Sequence, residues 1–262
     1  MKKFVVALAA LLVCQSAIRA EVKTETIVYK HGDQTFKGYL AYDDTLSRMR
    51  PGILVVHEWW GLDDYARKRA QQLAKMGYVA FAADMYGDGK TTEHPKEAGE
   101  MAGMVRKNQK EWQARAQAGL KVLRDNPHVD GTKLAAIGYC FGGSTALQLA
   151  YSGADIKAAV TFHAALPAPD KNQAEAIRAK ILICHGADDS FVPENSVQKV
   201  RAAYEQAGVD YTLIYFGGAV HSFTVPGANE RGLKGMAYNA AADRRSWAAM
   251  TELFHEVFGN VK

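Results

Sequence analysis

From Pro51 to the C-terminus the sequence alternates short, continuous apolar runs with amphipathic stretches, and this rhythm restricts the fold more than any other feature. The runs are GILVVHE, YVAFAAD, KLAAIGYC, IKAAVTFHAAL, AKILICHG and YTLIYFGGAV. Runs that are apolar at successive rather than alternate positions are expected of strands covered on both faces, as in a parallel sheet flanked by helices. Helical periodicity falls between them, near Asp64 to Met76, Glu111 to Arg124, Phe141 to Tyr151, Glu194 to Ala207 and Tyr238 to Phe258. Six buried strands alternating with helices define an α/β fold with a mostly parallel central sheet. Ahead of them, TETIVYK and TFKGYLAYDD alternate branched or aromatic with polar residues around HGDQ, so an N-terminal antiparallel hairpin is expected at a sheet edge.

No repeat or long linker interrupts the alternation, and residues 21–262 read as one domain. The largest polar excursion, Tyr86 to Lys110, lies where a loop at the C-terminal edge of the strands would run. It reads as a solvated connection or as a wall or lid of a pocket. The first twenty residues, MKKFVVALAALLVCQSAIRA, place two lysines before an apolar run from Phe4 to Val13 and a small-residue exit at Ala20. That is the layout of a secretory signal peptide, with too short an apolar run to span a bilayer. Cleavage is expected after Ala20, with Ala17 as second choice. Cys14 follows Val13, a poor residue before a lipidated cysteine, which disfavours a lipoprotein. The mature chain is therefore expected to be secreted, in a periplasm, and off the membrane once the signal is removed. Loss of Lys2, Lys3 and Arg19 leaves 29 basic against 28 acidic residues, and no basic stripe exists to neutralise the phosphates of a nucleic acid.

Gly138-x-Cys140-x-Gly142 follows the strand KLAAIGY and opens the helix FGGSTALQLAYSG. That context suits a nucleophile elbow, in which glycines allow close backbone approach and the nucleophile is lifted to a helix N-terminus. The helix dipole and free N–H groups there favour a thiolate and, later, an oxyanion. The glycines alone would equally suit a tight turn around a buried thiol. A thiol also needs a base, and in this fold class the partners follow in the order nucleophile, acid, histidine. Asp189 follows the strand AKILICHG and precedes SFVP, and His221 follows the last strand in FGGAVHSF. Both fall in loops on the same sheet edge as Cys140. Asp188 competes with Asp189 and ranks second. His221 would take the thiol proton, and Asp189 would fix its tautomer.

The segments VHEWWG, GYCFGG, ADDSFVP and GGAVHSF together resemble the dienelactone hydrolase family, a cysteine-using branch of the α/β-hydrolase fold, along nearly the whole chain after the signal. The resemblance implies a hydrolase of small ester, lactone or thioester bonds with Cys140 as nucleophile, Asp189 as acid and His221 as base. It also implies that Glu58 contacts the resting thiol and accepts its proton when substrate enters. The backbone N–H groups of Phe141 and Trp59 would form the oxyanion hole.

Two departures bear on the substrate. Family members hold a substrate carboxylate with two arginines, and Asp88 and Val225 stand at the matching places. The aromatic residues Trp59, Trp60, Tyr86, Phe191 and Phe223 are candidates for the pocket, so a neutral, partly apolar substrate is expected. His57, His163 and His185 have no metal-ligand spacing, and no metal or cofactor is expected. Cys184 reads as a small buried hydrophobe, separated from Cys140 by a strand and so unpaired. The competing class of function is a thiol redox sensor or binding protein built on Cys140 without ester turnover. Oligomeric state is not legible.

Overall fold

The computed structural model describes residues 21–45 and 48–261. The expected signal peptide at residues 1–20 lies outside the described residues. The alternating N-terminal segments form β1 (Val22–His31) and β2 (Gln34–Asp43), paired antiparallel from Val22 opposite Asp43 to His31 opposite Gln34. The apolar runs form β3 (Arg50–Val56), β4 (Val79–Ala83), β5 (Val129–Tyr139), β6 (Ala158–Phe162), β7 (Lys180–Gly186) and β8 (Tyr211–Phe216). All lie in one eight-stranded sheet ordered β1-β2-β4-β3-β5-β6-β7-β8. β2 pairs antiparallel with β4, and each neighbouring pair from β4 to β8 is parallel.

Successive strand residues serve opposite faces, so both faces must be apolar and both must be covered. Along β3, Leu54 and Val56 enter the core of one face, while Ile53 and Val55 enter the other. The second face is covered by α1 (Asp64–Lys75) through Ala66, Ala70 and Leu73, and by α7 (Ala240–Phe258) through Met250, Phe254 and Phe258. The first face receives α2 (Pro95–Arg106), α3 (Gln109–Arg124), α4 (Phe141–Tyr151) and α6 (Glu194–Ala207). A single short helix, α5 (Lys171–Ala176), carries a capping box at Asp170.

Two expectations need correction. β8 is only half-buried, because it is the last strand of the sheet and has a neighbour on one side alone. The polar excursion contains α2, which buries Ala98, Met101, Ala102 and Val105. Their spacing of three, one and three residues is one helical stripe, hidden in the sequence by the lysines and glutamates that interleave it. Pro95 at the first helical position supplies a preset φ where no N–H is needed.

The parallel strands bring the segments after β3, β4, β5, β6, β7 and β8 to one edge, where open α/β sheets bind ligands. β6 lies between β5 and β7, and Cys184 pairs with Phe162 on β6. Cys140 and Cys184 are both free thiols, and burial pushes the Cys184 thiol up.

Candidate active site

β5 ends at Tyr139 and α4 begins at Phe141, which leaves Cys140 to make the turn at φ 51° and ψ −113°. A non-glycine residue held there costs about 1–3 kcal/mol and persists only where its surroundings enforce it. Here the Cys140 N–H donates to the Phe162 carbonyl at 3.0 Å, and the Ser144 N–H donates to the Cys140 carbonyl at 3.2 Å. Glycines provide the clearance. A Cβ on Gly138 would stand 1.9 Å from the Gly142 carbonyl oxygen, and one on Gly142 would stand 2.2 Å from that of Val56. The first helical residue is Phe141, whose N–H has no carbonyl to bond within α4.

The loops after β7 and β8 bring together the other two expected residues. His221 Nδ1 lies 2.8 Å from Asp189 Oδ2, and both side chains are buried. Asp189 Oδ1 accepts the Phe191 N–H at 2.9 Å, while Asp188 faces solvent one residue away. The His221 backbone is clamped on both sides, by its N–H to the Gly235 carbonyl at 3.2 Å and by the Ala237 N–H to its carbonyl at 3.1 Å. Burial pushes the His221 imidazole down, but its interaction with Cys140 and its hydrogen bond to Asp189 outweigh this and hold it well above its ordinary value.

Glu58 is buried close to His221 but is not hydrogen-bonded to the thiol. Its Oε1 accepts the Ser222 hydroxyl at 2.8 Å and lies 3.8 Å from His163 Nδ1. The contact with Cys140 that the family resemblance implies is absent from the hydrogen bonds among the described residues. The physical reason is a long-range contact: Ser222, at φ 55°, aims its hydroxyl at Glu58 from the residue next to His221. Burial pushes the Glu58 carboxyl up against the opposing pull of His221 and Ser222. Burial likewise pushes His163 well down, helped by the charge of His221, so a neutral imidazole faces Glu58. His163 Nε2 is 2.7 Å from the Thr224 hydroxyl, and its Nδ1 is buried without a partner.

His57 is a structural residue. Its Nδ1–H donates to the Glu58 carbonyl, and its Nε2 accepts the Met85 N–H at 3.2 Å, which joins the ends of β3 and β4. Trp59 lies in the following turn, closed by the Gly61 N–H to the Glu58 carbonyl at 3.4 Å. That turn does not use the Trp59 N–H.

The five aromatic candidates divide. Phe191 is half exposed and its ring lies 5.2 Å from that of His221. Trp59 is partly exposed and packs 4.8 Å from Trp60. Tyr86 is buried, and its hydroxyl donates to the Trp59 carbonyl at 2.9 Å, so it braces the turn that carries Trp59. Phe223 is a correction: it is fully buried against Phe216 and His163 and belongs to the core. Trp60 is buried with its ring beneath the Arg231 guanidinium at 4.3 Å, and it lines a cavity with Val225 and Arg231.

Sequence reasoning missed Asp84, whose buried carboxylate accepts the N–H groups of Lys37, Tyr86, Gly87 and Gly89 at 2.8–3.0 Å. It shapes the turn that presents Tyr86, and its signal was an acid placed just before a glycine-rich stretch. Asp88 is exposed and Val225 buried, so neither of the two positions compared with the expected arginines offers a cation. No group of three or more metal-ligating side chains exists among the described residues.

A strained cysteine at a strand-to-helix turn, followed in chain order by a buried Asp–His pair on the same sheet edge, defines an α/β-hydrolase. More narrowly, the chain belongs to the dienelactone hydrolase family, whose profile matches residues 36–258. It is similar to Protein usf of Aquifex pyrophilus, at 31% identity over 71% of this chain and 81% of that protein. A dienelactone hydrolase-like promiscuous phosphotriesterase from metagenomic libraries superimposes with a TM-score of 0.89 and 41% identity, over 92% of this chain and all of that one. A structure described as m3DLH does so with a TM-score of 0.88 and 41% identity, over 90% of this chain and 99% of that one. The protein is a hydrolase.

Proposed function

We propose that the protein cleaves small esters, lactones or thioesters through an acyl-cysteine intermediate, and the Cys140 turn on the same sheet edge as the His221–Asp189 pair is the observation that supports this reading. The Cys140 sulfur attacks the carbonyl carbon as its proton passes to His221 Nε2. The developing oxyanion takes hydrogen bonds from the Phe141 and Trp59 N–H groups, each worth about 3 kcal/mol in such a site. Collapse expels the alcohol, which leaves with the proton from His221. A water molecule, deprotonated by His221, then attacks the acyl carbon and releases the acid and the thiol. Asp189 holds the His221 tautomer and favours the imidazolium throughout. With Glu58 engaged by Ser222 and its carboxyl pushed up, His221 is the base in this arrangement.

The substrate is neutral and partly apolar, since neither Asp88 nor Val225 supplies a cation for it and Phe191 flanks His221. The similarity to a promiscuous phosphotriesterase adds aryl phosphotriesters to the substrates worth testing. Residues 21–262 act as one domain, exported to a periplasm by the N-terminal segment. The deciding experiment replaces Cys140 by alanine and assays small aryl esters and lactones. Loss of turnover supports the acyl-cysteine route, and unchanged turnover rejects it.

A further inference from the structure

β6 ends at Phe162, and the next residue, His163, is held at φ 42° with its N–H donating to the Cys184 carbonyl at 2.9 Å. The acyl-transfer steps do not use it, yet it is fully buried, with its ring 5.4 Å from that of His221. The titratable groups around it are Glu58 after β3, Arg69 and, through Thr224, Tyr65 on α1, Tyr139 at the end of β5, His185 on β7 and His221 after β8.

A chain of hydrogen bonds joins His163 to the buried guanidinium of Arg69, and one direction satisfies every member of it. Arg69 is paired with Asp243, and its Nε–H donates to the Tyr65 hydroxyl at 3.1 Å. A guanidinium carries donors only and keeps its charge, so the Tyr65 oxygen must accept. The Tyr65 hydrogen then goes to Thr224 Oγ1, 2.6 Å away, its other partner among the described hydrogen bonds. Thr224 is fully buried, and having accepted from Tyr65 its hydroxyl donates to His163 Nε2 at 2.7 Å. Nε2 is therefore the bare nitrogen, and a neutral His163 carries its hydrogen on Nδ1. A second Arg69 bond, from Nη2–H to the Thr224 carbonyl at 2.9 Å, fixes the residue in the middle of the chain. Burial, His221 and Arg69 all oppose a charge on the ring, which keeps it in this form. Nδ1 is buried without a hydrogen-bond partner and stands 3.8 Å from Glu58 Oε1, the oxygen that accepts the Ser222 hydroxyl. At that length the contact is electrostatic rather than a hydrogen bond, and the low dielectric of a buried site strengthens it.

We propose that Arg69 sets the tautomer of His163 and that His163 is thereby a positioning residue, its Nδ1–H holding the Glu58 side chain on the Ser222 side of the site. The inference rests on the acyl-cysteine reading, in which His221 takes the thiol proton. A Glu58 side chain released from Ser222 would compete with His221 for that proton. The two histidines thus have opposite tasks: His221, with Nδ1–H on Asp189, moves protons, and His163, with Nδ1–H toward Glu58, keeps its own.

The tautomer is read by nitrogen NMR of protein carrying isotope-labelled histidine, with His163→Gln to assign the ring signals, and function is read as the pH profile of kcat/KM for nitrophenyl acetate. The wild type should show a hydrogen on Nδ1 of His163 and a bare Nε2. Thr224→Val removes the donor to Nε2 and should give a mixture of tautomers, whereas Thr224→Ser keeps the hydroxyl and should match the wild type. Thr224→Val is expected to lower kcat/KM about tenfold and to alter its pH profile, within the coupling usual for neighbours in one network, and Thr224→Ser to restore both. In a Glu58→Gln background Thr224→Val should add no further loss, because no carboxyl group is left to position. Tyr65→Phe makes the same comparison with Thr224 in place, should Thr224→Val fail to fold. A hydrogen on Nε2 in the wild type, an unchanged kcat/KM in Thr224→Val, or an equal loss in the Glu58→Gln background overturns the assignment while the hydrolase reading stands. Turnover that survives Cys140→Ala overturns the acyl-cysteine reading and the positioning role with it, whatever the tautomer.

Discussion

The Asp189 carboxylate receives the His221 Nδ1–H at 2.8 Å on one oxygen and the Phe191 N–H at 2.9 Å on the other, so it cannot rotate without losing a bond. An amide in its place would keep the shape but could present its NH2 to Nδ1 and impose the wrong tautomer. Asp189→Asn is therefore expected to lower kcat about 10³-fold or more, as in other acid–histidine pairs of this kind. Circular dichroism should show the fold intact. The exposed neighbour is the control: Asp188→Asn should leave kcat within twofold, and equal losses at both positions would remove Asp189 from the mechanism.

Phe191 and Phe223 looked alike in the sequence and should behave oppositely on truncation. Phe191→Ala removes an exposed ring beside His221, and its effect is expected on KM with little loss of stability. Phe223→Ala opens a cavity in a fully buried site and should cost about 3–5 kcal/mol. Urea midpoints measured beside steady-state kinetics separate the two, and a stability loss at Phe191 matching that at Phe223 would refute the distinction.

This pair also marks how far the sequence was legible. Strand runs, the hairpin and the chain order of Cys140, Asp189 and His221 are local patterns, whereas the strand order of the sheet is set by which crossovers turn back and is visible only in the structure. The direction of a side chain within a loop is not local. Phe223 points inward because the Phe223 carbonyl accepts the Asn239 N–H and the loop closes on the start of α7. Glu58 turns to Ser222 rather than Cys140 for a similar reason, since the hydroxyl comes from a loop 164 positions away. α2 was hidden because four small or flexible apolar residues sit among charges, a stripe that only burial makes visible.

The elbow itself can be tested without touching the thiol. A methyl group on Gly142 has no room, because the Val56 and His57 carbonyls lie 2.2 and 2.5 Å from where its Cβ would be, and backbone cannot swing aside as a side chain can. Gly142→Ala should displace α4 from the sheet, abolish turnover and lower the melting temperature by several degrees, about 2–4 °C per kcal/mol at this length. Gly103 also lies in a helix but has open space where a Cβ would go, so Gly103→Ala should match the wild type in melting temperature or exceed it. Activity retained in Gly142→Ala would show that the turn is looser than its contacts imply.

Three histidines give the protein a predictable acid limit. Burial holds His57, His163 and His185 below the ordinary value of 6.5, so they stay neutral in the fold, whereas the unfolded chain protonates them near 6.5. As pH falls below about 6.5 the unfolded state binds protons that the folded state refuses, and unfolding becomes easier by up to about 1.4 kcal/mol per pH unit for each such residue. His221 works in the other direction. Its folded value is raised, so its contribution is fully present below 6.5 and is lost as pH climbs through that higher value. The Glu58 carboxyl, which burial also pushes up, works in the same direction as His221, so the groups are separated one at a time: the gap, taken as the urea midpoint at pH 7.5 minus that at pH 5.5, is compared between the wild type and His163→Gln. His163→Gln keeps a group able to bond Thr224 but cannot titrate, and it should narrow the gap between the two midpoints. A gap as wide as that of the wild type would show that His163 is already protonated in the fold, and with it that Glu58 faces a cation rather than a neutral ring.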